Sequence, residues 1–351
     1  MDRNWSEMNK EMQTLLSKKT TFQEGISKLL ELRKSLFEQI TQIVNTFPED
    51  AFQKMPFAGA EGYHSKTLAY SIWHIFRIED IVAHEMIAED RQVLFSRDFQ
   101  TAIHSSIITT GNELSGDEIS EFSRQLDVNA LYRYAQEVMR STDRILTGLE
   151  YSDLKRKFGE GMIEKLRNTG CVSDAESAAW LIGYWCGKDI QGLIRMPFSR
   201  HWIMHIEAMQ RIKYRLCKLA RKGVDPIAYC GFSCNHCFLS AWCGSCRTVY
   251  NTCSFATVSP NGKCPNAVCC QEKGIDGCYE CDQLETCGKG FYIPSNDGAD
   301  AARAQAMYIR KYGKKEFLKV HDRLHEKYDF ARTQEVLGQD WHEGLRILEE
   351  S

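Results

Sequence analysis

Apolar residues recur at helical spacing through most of the first two thirds of the chain. In "ISKLLELRKSLFEQITQIVNTF", Ile26, Leu29, Leu30, Leu36, Phe37, Ile40, Ile43, Val44 and Phe47 fall on the i, i+3, i+4, i+7 series of an amphipathic helix. Pro48 ends that run, because a proline cannot continue the backbone hydrogen-bond ladder. The same periodicity predicts a second helix in "SKTLAYSIWHIFRIEDIVAHEMIAED" and a third in "DVNALYRYAQEVMRSTDRILTGL". A fourth covers "SRHWIMHIEAMQRIKYRLCKLARK", with a shorter helix before it at "DAESAAWLIGYW". Four long amphipathic helices in this order predict a helical bundle over residues 1–225.

The pattern changes near residue 226. Through residue 295 Gly, Asn, Ser and Cys dominate, long periodic runs vanish, and "SPNGKCPN" and "KGIDGC" read as turns. Such a segment holds too little apolar surface for a core of its own, so crosslinking by metal is expected to fold it. Helical periodicity returns in the tail, residues 296–351, with "DAARAQAMYIRKYG" and "KKEFLKVHDRLHEKYDF". The expected fold is therefore mainly α: a bundle (1–225), then a small Cys-rich metal-bound domain (226–295) with a helical tail.

Composition narrows the function classes. Of 351 residues, 43% are hydrophobic and 26% charged, a globular balance, and the net charge of −3 creates no global field toward nucleic acid or an anionic membrane. The polar start carries no signal-peptide core and no run reaches the ~18 apolar residues of a membrane span, so a cytoplasmic protein with no membrane partner is expected. The cationic run Arg211, Lys213, Arg215, Lys218, Arg221 and Lys222 lies at a helix C-terminus, where the macrodipole alone favours cations. Nucleic acid is thus a disfavoured partner.

Twelve of the fifteen cysteines fall between Cys230 and Cys287. They are Cys230, Cys234, Cys237, Cys243, Cys246, Cys253, Cys264, Cys269, Cys270, Cys278, Cys281 and Cys287. Three C-x-x-C pairs stand among them, each long enough for a knuckle that turns two sulfurs toward one metal. In a reducing compartment thiolate ligation is the expected use. The bacterial ferredoxin spacing is absent, which favours zinc over an iron–sulfur cluster. His236, between Cys234 and Cys237, is a further candidate ligand.

His201 and His205 stand at i and i+4, on one face of the fourth helix and within reach of a single ion. His74 sits on a stripe of the second helix with Thr67, Ser71, Ile78 and Ile81, facing the core. "IWHIFRIED" followed by "HWIMHIE" resembles the DinB-like metal-binding four-helix bundles, over about residues 20–222. That resemblance implies a divalent ion (Fe, Zn or Ni) on His74, His201 and His205. It also implies a metal-dependent enzyme, a transferase or non-haem iron oxidoreductase acting on a small molecule such as a thiol. The alternative is a non-catalytic metal-binding or sensing protein. His201, His205 and Glu207 also match the H-x-x-x-H-x-E of ergothioneine-type sulfoxide synthases, but the second catalytic domain of those enzymes has no counterpart here. At 100° per residue Glu207 points away from the metal face, toward a surface pairing with Arg211.

The remaining histidines carry weaker patterns. His84 is expected at the rim or exposed. His321 and His325 form a second i, i+4 pair with no third partner apparent. Trp73, Phe76, Trp202 and Met204 flank the predicted ligands, as pocket wall or plain core. "AYCGFSCNHC", "CGSCR", "CYECDQLETC" and the tail element "YIRKYG" resemble a bacterial Cys-rich family of unknown function over about residues 227–325. That second resemblance implies a metal-bound module and no reaction.

Overall fold

The computed structural model describes residues 3–238, 243–250 and 263–351. The chain is mainly helical and divides into two compact units, Met1–Lys213 and Tyr214–Ser351. Among the described residues no helix is long and apolar enough to cross a membrane.

The first unit opens with α1 (Arg3–Leu16) and α2 (Phe22–Thr46), which pack against each other. Helix α1 was not anticipated from the periodicity: only Trp5, Met12 and Leu16 are buried on its otherwise polar surface. Helix α3 (Leu68–Asp80) is buried at every one of its residues, and Thr67 caps it by accepting from the Tyr70 N–H at 3.0 Å. Its last turn passes into a π-helical segment, Ile81–Ala88.

Short helices α4 (Val93–Ser96), α5 (Phe99–Ile103) and α6 (Asp117–Gln125) lead to α7 (Val128–Thr147). Asp127 caps α7 by accepting from the Ala130 N–H, and α7 lies against α2 and α3. Helices α8 (Glu160–Asn168), α9 (Glu176–Cys186) and α10 (Ile190–Arg195) follow. A π-helical turn at Met196–Arg200, carrying Pro197, joins α10 to α11 (His201–Ala220), whose last residues belong to the second unit.

Buried ion pairs, which periodicity does not reveal, hold these helices in register. Arg33 on α2 grips Glu79 on α3 with two hydrogen bonds of 2.7 and 2.8 Å. It also donates to Asp143 on α7 at 2.7 Å and to the Phe198 carbonyl, just before α11, at 3.3 Å. Arg33 and Glu79 are fully buried, and the guanidinium lies 4.5 Å from the Trp202 ring centre. Asp80 accepts from the Val93 and Leu94 N–H groups and from the Tyr134 hydroxyl, so α3, α4 and α7 share one buried carboxylate.

In the second unit α12 (Pro265–Lys273) forms inside the Cys-rich segment, where only turns were expected. Pro265 opens it and Gly274 (φ 64°) closes it, as the start and stop chemistry of a short helix requires. The tail folds into α13 (Ala299–Tyr312), α14 (Lys314–Lys327), α15 (Phe330–Leu337) and α16 (Trp341–Glu350), with α14, α15 and α16 packed on α13. The Cys-rich segment and the tail share one core: Ile227, Ala267, Tyr279 and Tyr292 join Ala301, Ala304, Phe317 and Leu324. At Gly231 (φ 88°) the backbone passes so close to α13 that a β-carbon would lie 2.6 Å from that of Ala306.

Candidate metal centre

The side chains of His74, His201 and His205 converge. Their ring centres are 5.1 Å (His74–His201), 4.7 Å (His74–His205) and 4.5 Å (His201–His205) apart. One nitrogen from each lies within 4.8 Å of the others, and all three residues are buried. Two ligands of one ion bound at ~2.1 Å can be no further apart than about 4.2 Å; small side-chain rotations close the remaining gap.

The local structure explains why these rings meet. Helix α11 begins at His201, so His205 sits one turn later on the same face. On α3, the series Tyr70, Trp73, His74 and Arg77 faces the 108–111 loop, and each side chain donates to one of its carbonyls. Tyr70 Oη bonds the Gly111 carbonyl at 2.9 Å and Trp73 Nε1 the Thr109 carbonyl at 3.1 Å. His74 Nδ1 reaches the Thr110 carbonyl at 2.8 Å and Arg77 Nε the Ile108 carbonyl at 2.9 Å. A carbonyl can only accept, so His74 carries its proton on Nδ1 and presents a bare Nε2, the arrangement that orients a metal-ligating histidine. Tyr70 stacks parallel on the His74 ring at 5.6 Å, and the exposed Tyr63 meets His205 edge-on at 4.9 Å.

Polar satisfaction stops at the cluster centre. His201 Nδ1 and both ring nitrogens of His205 are buried without a hydrogen-bond partner. Such groups are rare in folded proteins, and each costs about 1–3 kcal/mol when left bare. Burial pushes the His74 pKa down to about 4, with the Thr110 carbonyl opposing and Lys66 reinforcing the shift. Burial, followed by the neighbouring imidazoles, holds His201 and His205 well below the ordinary histidine value. All three are therefore neutral at pH 7, the form that binds metal.

No family model, no curated protein and no solved structure matches this chain.

Around the cluster, Trp73, Phe76 and Trp202 are buried as plain core. Phe76 meets Trp202 at 4.9 Å, and Phe37 touches both. Met204 and Glu207 are half-buried. His84 departs from expectation: it is buried, and its Nδ1 bonds Asp90. The segment that carries it is buried on nearly every side, with Ile81, Val82, Ala83, Met86 and Ile87 buried around it.

The pair His321 and His325 has a third imidazole beside it after all. His236, from the Cys-rich segment, stacks on His325 at 4.2 Å and lies 5.5 Å from His321, while its Nε2 shares a 2.6 Å hydrogen bond with Asp322. Both His321 nitrogens are buried and unpartnered, and burial lowers its pKa to about 3. Proximity of His236 in space was hidden by the 84 residues that separate it from His321.

The cysteines sort into two groups. Cys230, Cys234, Cys237, Cys243, Cys246 and Cys264 line a cavity of about 540 Å³, rimmed by Phe232, Phe238 and Phe330. Cys269, Cys270, Cys278, Cys281 and Cys287 line a second of about 220 Å³. Cys253 and the turn at residues 259–262 lie outside the described residues. In the first group burial pushes the Cys234 thiol up to about 11 and that of Cys246 up to about 12. In the second, the Cys270 and Cys278 sulfurs are 3.7 Å apart. Either thiol can be the donor in that contact; the hydrogen bond with Cys270 lowers the Cys278 pKa, aided by Asn266 Nδ2 at 3.5 Å.

Proposed function

We propose that His74, His201 and His205 hold one divalent transition metal, and that the chain is a metal-dependent enzyme built on a DinB-like four-helix bundle. The observation that carries this reading is the meeting of three buried, neutral imidazoles, two of which, His201 and His205, have unpartnered nitrogens. A hydrophobic core gains nothing from that arrangement, and an ion would satisfy it. Imidazole ligands suit iron, zinc and nickel alike. With three protein ligands, coordination positions stay available to a substrate. A bound ion there would act as a Lewis acid and favour the anionic form of a thiol or of water.

The residues of the chain supply the rest of the setting. The Thr110 carbonyl fixes the His74 tautomer, and Tyr70 holds the ring plane by stacking. Lys66, half-buried, stands 5.0 Å from the Tyr70 ring centre, and its cationic head favours an anionic substrate such as a thiolate near the cluster. The proposed activity is therefore chemistry on a small thiol or sulfur compound, as transfer or as iron-dependent oxidation. The cysteine-lined cavities belong to an accompanying zinc or iron–sulfur module.

One observation favours a second reading, a metal-binding or sensing protein without turnover: the three imidazoles retain only 2–7% of their surface. Cobalt-substituted protein separates the two. Small thiols, azide or cyanide should change its visible spectrum if a position is open to substrate. A spectrum indifferent to all three would establish the non-catalytic reading.

A further inference from the structure

We infer that the smaller cysteine cavity is the seat of an iron–sulfur cluster of the [4Fe–4S] type, held by Cys278, Cys281, Cys287 and one sulfur of the adjacent pair Cys269–Cys270. The inference does not rest on the histidine centre.

The first ground is spacing. Sulfurs that share one zinc ion lie no more than about 4.6 Å apart, twice the ~2.3 Å bond length. Among the described residues, no three cysteine sulfurs come within 4.8 Å of one another. Five nevertheless surround a common space of about 220 Å³. Cys270 and Cys278, 3.7 Å apart, cannot each bind a separate iron, so Cys269 is the member of the adjacent pair that joins Cys278; thiols otherwise spread around a void suit a multinuclear core in which each sulfur binds its own iron. Zinc, which the missing ferredoxin spacing favours, is the alternative that the metal and sulfide analysis distinguishes.

The second ground is the rigidity of the backbone that carries the thiols. From α13, Arg303 donates to the carbonyls of Leu284, Glu285 and Cys287, the latter two at 2.7 and 2.8 Å. Arg310 on the same helix donates to the carbonyls of Tyr279, at 3.0 Å, and Cys281. The Cys278 N–H is fixed on the Tyr229 carbonyl at 2.7 Å. Two arginines thus hold the turns bearing three cysteines open toward the void, and all five thiols are free of disulfides.

The third ground is the set of donors aimed at sulfur. Lys273 Nζ lies 3.2 Å from Cys281 Sγ, and Asn266 Nδ2 lies 3.5 Å from Cys278 Sγ. A cluster with four thiolates is anionic, and hydrogen bonds to its sulfurs stabilise it and tune its potential.

The full chain, purified without oxygen, tests this directly. Iron, zinc and acid-labile sulfide are measured per chain, with the visible absorption before and after dithionite. The expected result is iron with matching sulfide and a broad charge-transfer absorption that dithionite bleaches. Replacing Cys281→Ser together with Cys287→Ser should remove about four iron and four sulfide per chain, while His201→Ala leaves sulfide unchanged. Wild-type protein that carries zinc on its thiols and no sulfide would overturn the inference, however the variants fold. A folded double variant with undiminished sulfide would overturn it equally.

Discussion

Acidification should unfold the metal-free first unit sooner than its carboxylates alone would require, and His74 sets a measurable share of that effect. Its folded pKa of about 4 lies below the 6.5 of an exposed imidazole because burial opposes the charged form. The unfolded chain therefore takes up the proton first as pH falls. The stabilisation is complete above pH ~6.5 and is lost on the way down toward ~4. Between pH 7.5 and 5 the loss from this residue is about 2 kcal/mol, and burial of His201 and His205 adds to it in the same direction. The assay is urea unfolding of the full, chelated chain at the two pH values, followed through the buried Trp73, Trp185 and Trp202. His74→Asn can keep a donor toward the Thr110 carbonyl but does not titrate. Its pH dependence should be shallower than wild type by that same ~2 kcal/mol. Identical pH dependence in the two proteins would show that His74 is not held neutral by burial, and the reasoning about the cluster would fail with it.

Other consequences are open to direct measurement. Arg33→Leu should cost about 3–5 kcal/mol in unfolding free energy, because it strands Glu79 in the core; Arg33→Leu with Glu79→Leu should recover much of that, and additive losses would refute the pairing. Gly231→Ala should destabilise the second unit by more than ~1 kcal/mol in thermal unfolding, since φ is 88° and the new methyl meets Ala306; an unchanged melt would refute the close packing of the Cys-rich segment on α13. A divalent metal at 100 times its dissociation constant should raise the stability of the first unit by about 2.7 kcal/mol, and His205→Ala should abolish that gain.

Much of the helical order was legible because amphipathic periodicity and end signals coincide. Asp127 before α7 and Pro48 after α2 are readable stops and starts, and the elements lie within a few residues of the expected ones. Helix α1 escaped because its three buried residues are too sparse to form a stripe. Helix α12 escaped because its buried positions, Asn266, Ala267 and Cys270, form no apolar stripe. The i, i+4 spacing of His201 and His205 pointed to the site, and the core-facing stripe pointed to His74. Thr110 and Tyr70, which orient His74, were not legible: a backbone carbonyl acceptor has no sequence signature, and Tyr70 reads as ordinary core. The separation of cysteines into two cavities was likewise hidden. It depends on α13 arginines that bind carbonyls 16 to 31 residues earlier, where the local sequence gives no sign of the partner.

The central proposal, a divalent ion on His74, His201 and His205, is tested most directly by the metal content of the full chain beside that of His201→Ala, both purified anaerobically and measured by elemental analysis. The variant should keep its helical circular dichroism and its acid-labile sulfide, and lose about one equivalent of divalent metal, since three imidazoles at ~2.1 Å are replaced by two. Equal metal content in the folded variant and the wild type would show that the three histidines hold no ion.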